Sequence, residues 1–200
     1  MIRFYLRLVL SPLIIFTALT LLIRAQPYDD RELRQLLLPA GCPAPCFMGI
    51  RPGETSMEEA LTILKSNQWI GDIRTHTGSI EWTWSDSSPH IIDRKYPGYA
   101  QHSNVPGEEC CVGSFKFNSL FTLGDLYLLL GEPPRTNAIR GTTIHYALVS
   151  ISYVDQSIRL FTSVDCPISR EKFWQAQLET YIESKSLYKR EGGMSARINC

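Results

Sequence analysis

The sequence predicts an α+β fold: two helix-plus-antiparallel-strand repeats forming one sheet with helices packed on one face, preceded by an N-terminal transmembrane helix. Three observations carry this prediction. Short amphipathic helices with capping residues recur at Thr55 and Thr122, 67 positions apart. Each is followed by segments of alternating apolar and polar residues, the signature of strands with one buried face. An uncharged, largely apolar run from Leu8 to Ile23 lies between Arg7 and Arg24.

The run falls between two classes, since a signal-peptide core takes about 7 to 15 residues and a spanning helix about 18 or more. Counted from Phe4, with Arg7 reaching toward water, it is long enough to span. Ile23 and Arg24 before Ala25 depart from the small-x-small pattern of a cleavage site, which favours an uncleaved anchor. Arg3 and Arg7, against Arg24 offset by Asp29 and Asp30, put the N-terminus on the cytoplasmic side. The expected organisation is a signal anchor or transmembrane helix at 1–25, a polar spacer at 26–40, an extracytoplasmic α+β domain of two repeats at 41–168, and a C-terminal helix with a mobile tail at 169–200. The expected location is the cell membrane, single-pass, with the domain outside the cytoplasm. Twenty basic residues balance twenty acidic ones, so composition supplies no attraction for nucleic acid.

Within the spacer, a short helix from Asp30 to Leu37 would let Leu36, Leu37 and Leu38 dock on the domain surface. Pro43 and Pro45 stiffen the segment between Cys42 and Cys46. Thr55 then caps a helix over 56–66, with Glu58 completing a capping box and Met57, Ala60, Leu61 and Leu64 forming its apolar stripe. Ile80, Trp82 and Trp84 alternate with Glu81, Thr83 and Ser85 along a strand, and Ile91 and Ile92 begin a second one. The Pro, Gly, Asn and His content from Asp93 to Glu109 reads as a long loop. A strand resumes over 110–117, and Thr122 with Asp125 caps the second helix, which Gly131 and Pro133 stop. Residues 142–154 and 157–164 form a hairpin joined at Asp155 and Gln156. Ser169 caps a last helix to about Lys189, with Trp174, Leu178, Tyr181 and Ile182 on one side, and Gly192 and Gly193 lead into the tail.

Outside the cytoplasm six cysteines read first as disulfides, and Cys42, Cys46 and Cys166 are the structural candidates. A tie between the Cys42–Cys46 knot and Cys166 at the end of the sheet would pin the first helix to the domain. Cys110 and Cys111 are neighbours, which favours different partners or none over a bond to each other, and the role of Cys200 stays open. The rival reading is an extracytoplasmic thiol-disulfide oxidoreductase using Cys42 and Cys46. Three residues intervene where a thioredoxin-type pair has two, and the helix starts well after Cys46. Zinc binding by Cys42, Cys46, Cys110 and Cys111 with His102 has the wrong spacing for a knuckle. Ala40 and Gly41 resemble a lipidation signal before Cys42, but eighteen residues separate Ile23 from Cys42. His76, His90, His102 and His145 form no helical metal-binding pair, and no G-x-S-x-G, P-loop or dinucleotide glycine pattern is present. The expectation is no catalytic, cofactor-binding or metal residues. A binding surface would use the open side of the sheet at Glu81 and Thr83, with Tyr96 and Tyr99 from the long loop.

The strings CPAPCFMGIRPG, TSMEEALTIL and IEWTWS resemble those of a group of bacterial membrane-anchored proteins with no assigned function. More distantly, GIRPGETSMEEALTIL and its echo FTLGDLYLLLGEPP are similar to the helix-on-sheet repeat of the small outer-membrane assembly lipoproteins and the β-lactamase inhibitor protein. That resemblance covers about residues 47–165 and implies protein binding without catalysis. The chain departs from it in lacking a properly placed lipidated cysteine and in adding a C-terminal segment. The function expected is a protein-binding or envelope-structural module, its partner another envelope protein and its membrane contact the N-terminal helix.

Overall fold

The computed structural model describes residues 2–25, 29–107, 110–140, 146–167 and 169–190. The expected tail beyond Gly192, Cys200, and the start of the expected strand at 142–145 lie outside them. The chain divides into two units, Met1–Asp30 and Arg31–Cys200. The first carries one helix, α1 (Ile2–Ala25), which exposes Leu13, Ile14, Ile15, Phe16, Leu19, Leu21 and Leu22. Among the described residues, no helix is long and apolar enough to cross a membrane.

The second unit is α+β and built on one eight-stranded antiparallel sheet. Helix α2 (Arg31–Leu37) leads into α3 (Met57–Ser66), then β1 (Ile70–His76), β2 (Ser79–Trp84), β3 (Gly98–His102) and β4 (Val112–Thr122). Helix α4 (Leu123–Leu130) leads into β5 (Arg135–Arg140), β6 (Tyr146–Tyr153), β7 (Ile158–Asp165), a short α5 (Arg170–Trp174), β8 (Gln177–Glu183) and α6 (Lys185–Arg190). The sheet order is β1-β2-β3-β4-β8-β7-β6-β5. Read from either edge it is the same: a capped helix, an edge strand, and three more strands stepping inward to β4 or β8.

Both helices start on a side chain that replaces a missing helical partner. Ser56 caps α3, its Oγ accepting from Glu59 N while Glu59 Oε2 accepts from Ser56 N. Thr122 and Asp125 make the same reciprocal pair at α4. The first cap thus falls one residue beyond the expected Thr55 and Glu58, because Thr55 Oγ1 instead accepts from Arg51 N in the preceding turn. Thr122→Ala is expected to lower stability by about 1 kcal/mol, measured as a shift in urea midpoint; Thr122→Ser should recover most of it.

The helices bury Ala60 and Leu64 of α3 and Leu123 and Leu126 of α4 in the core shared with Trp82, Phe115, Phe117, Ile151, Leu160 and Ile182. The leucines of α2 go deeper than surface docking: Leu33, Leu36 and Leu37 are buried in the same core, and Glu32 Oε2 accepts from His90 N.

The edge strands β1 and β5 lie where no element was expected, and three further segments differ from expectation. The supposed loop at 93–109 contains β3, whose inward positions are Gly98 and Ala100; Trp82 lies against Gly98 and Ala100 faces Ile80, so no bulky apolar residue announces the strand. Ile91 and Ile92 do not start a strand, although buried Ile92 makes an isolated bridge to Ser119. The expected helix from Ser169 to Lys189 stops at Trp174, and the following residues form β8, a central strand. Leu178, Thr180 and Ile182 alternate inward, while Tyr181 faces the opposite side. Leu178 and Ile182, four apart, suit a helix and a strand equally.

Candidate functional site

The face of the sheet opposite the core carries a continuous row of polar and aromatic residues. Register alignment runs Arg74, Glu81, Tyr99, Lys116, Tyr181, Arg159, Ser152 and Arg135, one from each strand in spatial order. Alternation places them there: Ile80, Trp82, Ala100, Phe115, Phe117, Thr180, Ile182, Leu160 and Ile151 point into the core.

The row is held by short-range chemistry. Lys116 Nζ sits 2.5 Å from Glu179 Oε1 and 5.7 Å from the centroid of the Tyr181 ring, a distance suited to cation–π attraction. Tyr181 OH donates to Glu179 Oε2 at 3.2 Å, and Phe161 meets Tyr181 edge-to-face at 5.2 Å. Burial alone pulls the Lys116 ammonium down, but the hydrogen bonds and charges of Glu179 and Tyr181 outweigh it and hold the group above its ordinary value. Burial, then the Glu179 charge, pushes the Tyr181 hydroxyl up. Both groups are shifted away from neutrality, opposite to what a proton shuttle requires.

Beside Phe161 lies a depression of about 490 Å³, bordered by Asp93, Asn118, Leu148, Gln177 and Glu179. At the other side of the row, Arg159 and Glu183 form an ion pair at 3.1 Å with side chains only 9% and 12% exposed. Burial raises the Glu183 carboxyl above its usual range, and the Arg159 charge only partly offsets this. Basic and acidic groups are interspersed along the face, and Tyr and Arg are the residue types most used as interface anchors.

Of the residues expected to bind, Glu81 and Tyr99 are direct cross-strand neighbours in this row. Thr83 shares their face but spends its hydroxyl accepting from Asp72 N at 2.9 Å. Tyr96 lies before β3, outside the strand register of the row; it is 49% exposed, and its carbonyl accepts from Trp84 Nε1. Lys116, Arg159, Phe161 and Glu179 were not singled out from the sequence, and Tyr181 was read only as part of the last helix. Alternation in 158–165 was the available signal for Arg159 and Phe161; the misassigned helix hid Glu179 and Tyr181.

Cys42 and Cys46 are bonded to each other, with Cα atoms 5.9 Å apart. The expected tie from this knot to Cys166 is therefore absent, since a sulfur forms one such bond; Cys166 is itself disulfide-bonded. Instead the knot is fastened by the turn from Phe47 to Ile50. These two residues exchange both backbone hydrogen bonds at 2.9 Å across Met48 and Gly49, whose φ angles are +52° and +84°, the paired positive φ of a type I′ turn. Both flanking residues are fully buried, and Phe47 stacks on Phe117 at 5.0 Å and tilts against Phe115 at 5.1 Å. Replacing Cys42 and Cys46 together by alanine is expected to cost about 2 kcal/mol, the loop-closure value for so short a loop, with the fold kept because Phe47 and Ile50 stay seated. A urea titration with far-ultraviolet circular dichroism checks both parts.

Cys110 is an exposed free thiol, whereas Cys111 is buried with its Sγ 3.7 Å from the Glu54 carbonyl oxygen. Among the described residues, no group of three or more His, Cys, Asp or Glu is placed to hold a metal ion. No known protein family, curated protein or solved structure matches the chain.

Proposed function

We propose that the protein is a membrane-anchored extracytoplasmic module, built from two copies of a helix-and-four-strand unit, that binds another envelope protein through the open face of its sheet without performing catalysis. The row from Glu81 through Tyr99, Lys116 and Tyr181 to Arg159 carries this reading. Among the described residues it is half-exposed from Glu81 through Tyr181 and mixes charge with aromatic members, while Arg159 at its end is nearly buried. The strand order that reads alike from both edges supports the two-copy reading.

The anchor rests on α1. Its apolar residues from Pro12 to Leu22 form a stretch shorter than a span, which the sequence extends with Leu8, Val9, Leu10 and Ile23. Within this stretch Thr17 and Thr20 donate to the carbonyls of Leu13 and Phe16, which satisfies their hydroxyls without water as a lipid environment demands.

A photo-crosslinking residue at Gln101, exposed on the same strand face as Tyr99, should capture a distinct protein in intact cells. The same probe at Leu128, exposed on α4, should not. Equal labelling at both positions, or no specific product from Gln101, overturns the binding reading. Membrane fractionation with sequencing of the mature N-terminus tests the anchor separately; a soluble product beginning at Gln26 removes it.

A further inference from the structure

We infer that the pocket between α4, α5 and the β5–β6 side of the sheet binds a quaternary ammonium group. It lies on the helix-bearing face, and the inference stands independently of the sheet-face reading. Its volume is about 270 Å³, at or below the small end of the ligand-pocket range of about 300 to 1,000 Å³. That size suits a compact headgroup.

Three aromatic rings line it: Tyr127 from α4 with Phe173 and Trp174 from α5. Tyr127 stands at 79° to Trp174 with centroids 5.5 Å apart, and Phe173 at 77° with centroids 5.6 Å apart. Both pairs meet edge to face, the positive edge of one ring against the electron-rich face of the other, and the ring surface left open to the pocket is what attracts a cation. Tyr127 is 41% and Trp174 36% exposed, so a ligand reaches the pocket from solvent.

Charge decides which ligand. Among the described residues, Glu132 is the sole charged side chain lining the pocket, and the basic residues of α5, Arg170 and Lys172, are not part of the lining. Leu123 and Ile151 add apolar wall. An ammonium or guanidinium would need several acceptors here to replace its water, whereas a trimethylammonium donates no hydrogen bond and buries methyl groups. One carboxylate, three rings and apolar walls match the second kind of cation.

The test uses the full chain in maltoside micelles, which carry no choline of their own, titrated with choline chloride by calorimetry. Saturable binding is expected, with 3,3-dimethylbutan-1-ol, the uncharged isostere, about tenfold weaker. Trp174→Leu should weaken choline by about tenfold. Glu132→Gln, at an exposed position that leaves the fold undisturbed, should weaken choline several-fold and leave the isostere unchanged. Glycerophosphocholine binding at least as tightly as choline assigns a lipid headgroup as the source; weaker binding assigns the free cation. Equal affinity for choline and its isostere, or no saturable choline binding, overturns the inference.

Discussion

Trp82→Leu and Gly98→Ala are each expected to cost about 2 to 3 kcal/mol, and the double variant distinctly less than their sum. Trp82 is 1% exposed and packs edge-to-face with Trp84 at 5.6 Å and Phe115 at 6.3 Å. Its Nε1 has no hydrogen-bond partner among the described residues, so truncation forfeits packing and no hydrogen bond. A methyl group on Gly98 would lie 2.3 Å from Trp82 Cε2 and 2.5 Å from Cζ2 and Nε1. The indole cannot yield, because its neighbours fill the space it would move into. Removing the indole first clears that space, and the methyl then fills part of the cavity. A double-mutant cycle by urea unfolding should therefore show a coupling of about 1 to 2 kcal/mol. Strict additivity would mean that the backbone at Gly98, and not the contact with Trp82, sets the cost of the added methyl.

That contact also explains which parts of the fold were legible in the sequence. Capped helices are local: Thr122 with Asp125 lies within one turn and was read directly, while at the first helix the adjacent Thr55 and Glu58 were read in place of Ser56 and Glu59. The Trp82–Trp84 strand was legible because large residues alternate. Its partner β3 was not, because the Trp82 ring leaves no room for a side chain at Gly98 and the next inward residue is Ala100, so the segment reads as loop. In β8 the inward residue between Leu178 and Ile182 is Thr180, fully buried yet polar, its hydroxyl held by Ser119 Oγ at 3.4 Å. A threonine there breaks the apolar alternation that would have separated strand from helix.

The candidate site was half legible for a related reason. Glu81 followed from alternation along its own segment and Tyr99 was expected only as part of a long loop, but the row they belong to is set by register across strands far apart in sequence. Lys116 meets Tyr181 only because β4 pairs with β8, the join between the two halves. The knot shows the same limit: the pairing of Cys42 with Cys46 depends on the chain folding back locally, while its attachment depends on Phe47 reaching Phe115 and Phe117.

Arg159→Met is expected to destabilise the protein by about 3 kcal/mol at neutral pH, and by much less in mild acid. The pair it breaks is nearly buried, with Arg159 Nη2 3.1 Å from Glu183 Oε2, although that oxygen lacks a well-aligned hydrogen bond. In the wild type, burial raises the Glu183 carboxyl and Arg159 lowers it, the net being upward. A carboxyl raised in the folded state contributes stability that is present below its unfolded pKa and is lost as pH rises through the folded value. Removing Arg159 deletes its lowering influence, so the folded value climbs further. Below both values Glu183 is protonated with or without Arg159, and the two proteins differ little. Above them the variant must keep a carboxylate buried without the guanidinium, and the gap opens as pH rises from the acid side of the wild-type value toward neutrality. Adding Glu183→Leu should close most of that gap and abolish its pH dependence, since an apolar pair of similar volume replaces the buried charges. Urea titrations of the wild type, Arg159→Met and the double variant across that pH interval give the comparison. A destabilisation independent of pH would show that Arg159 acts through contacts other than Glu183, with no electrostatic hold on that carboxylate.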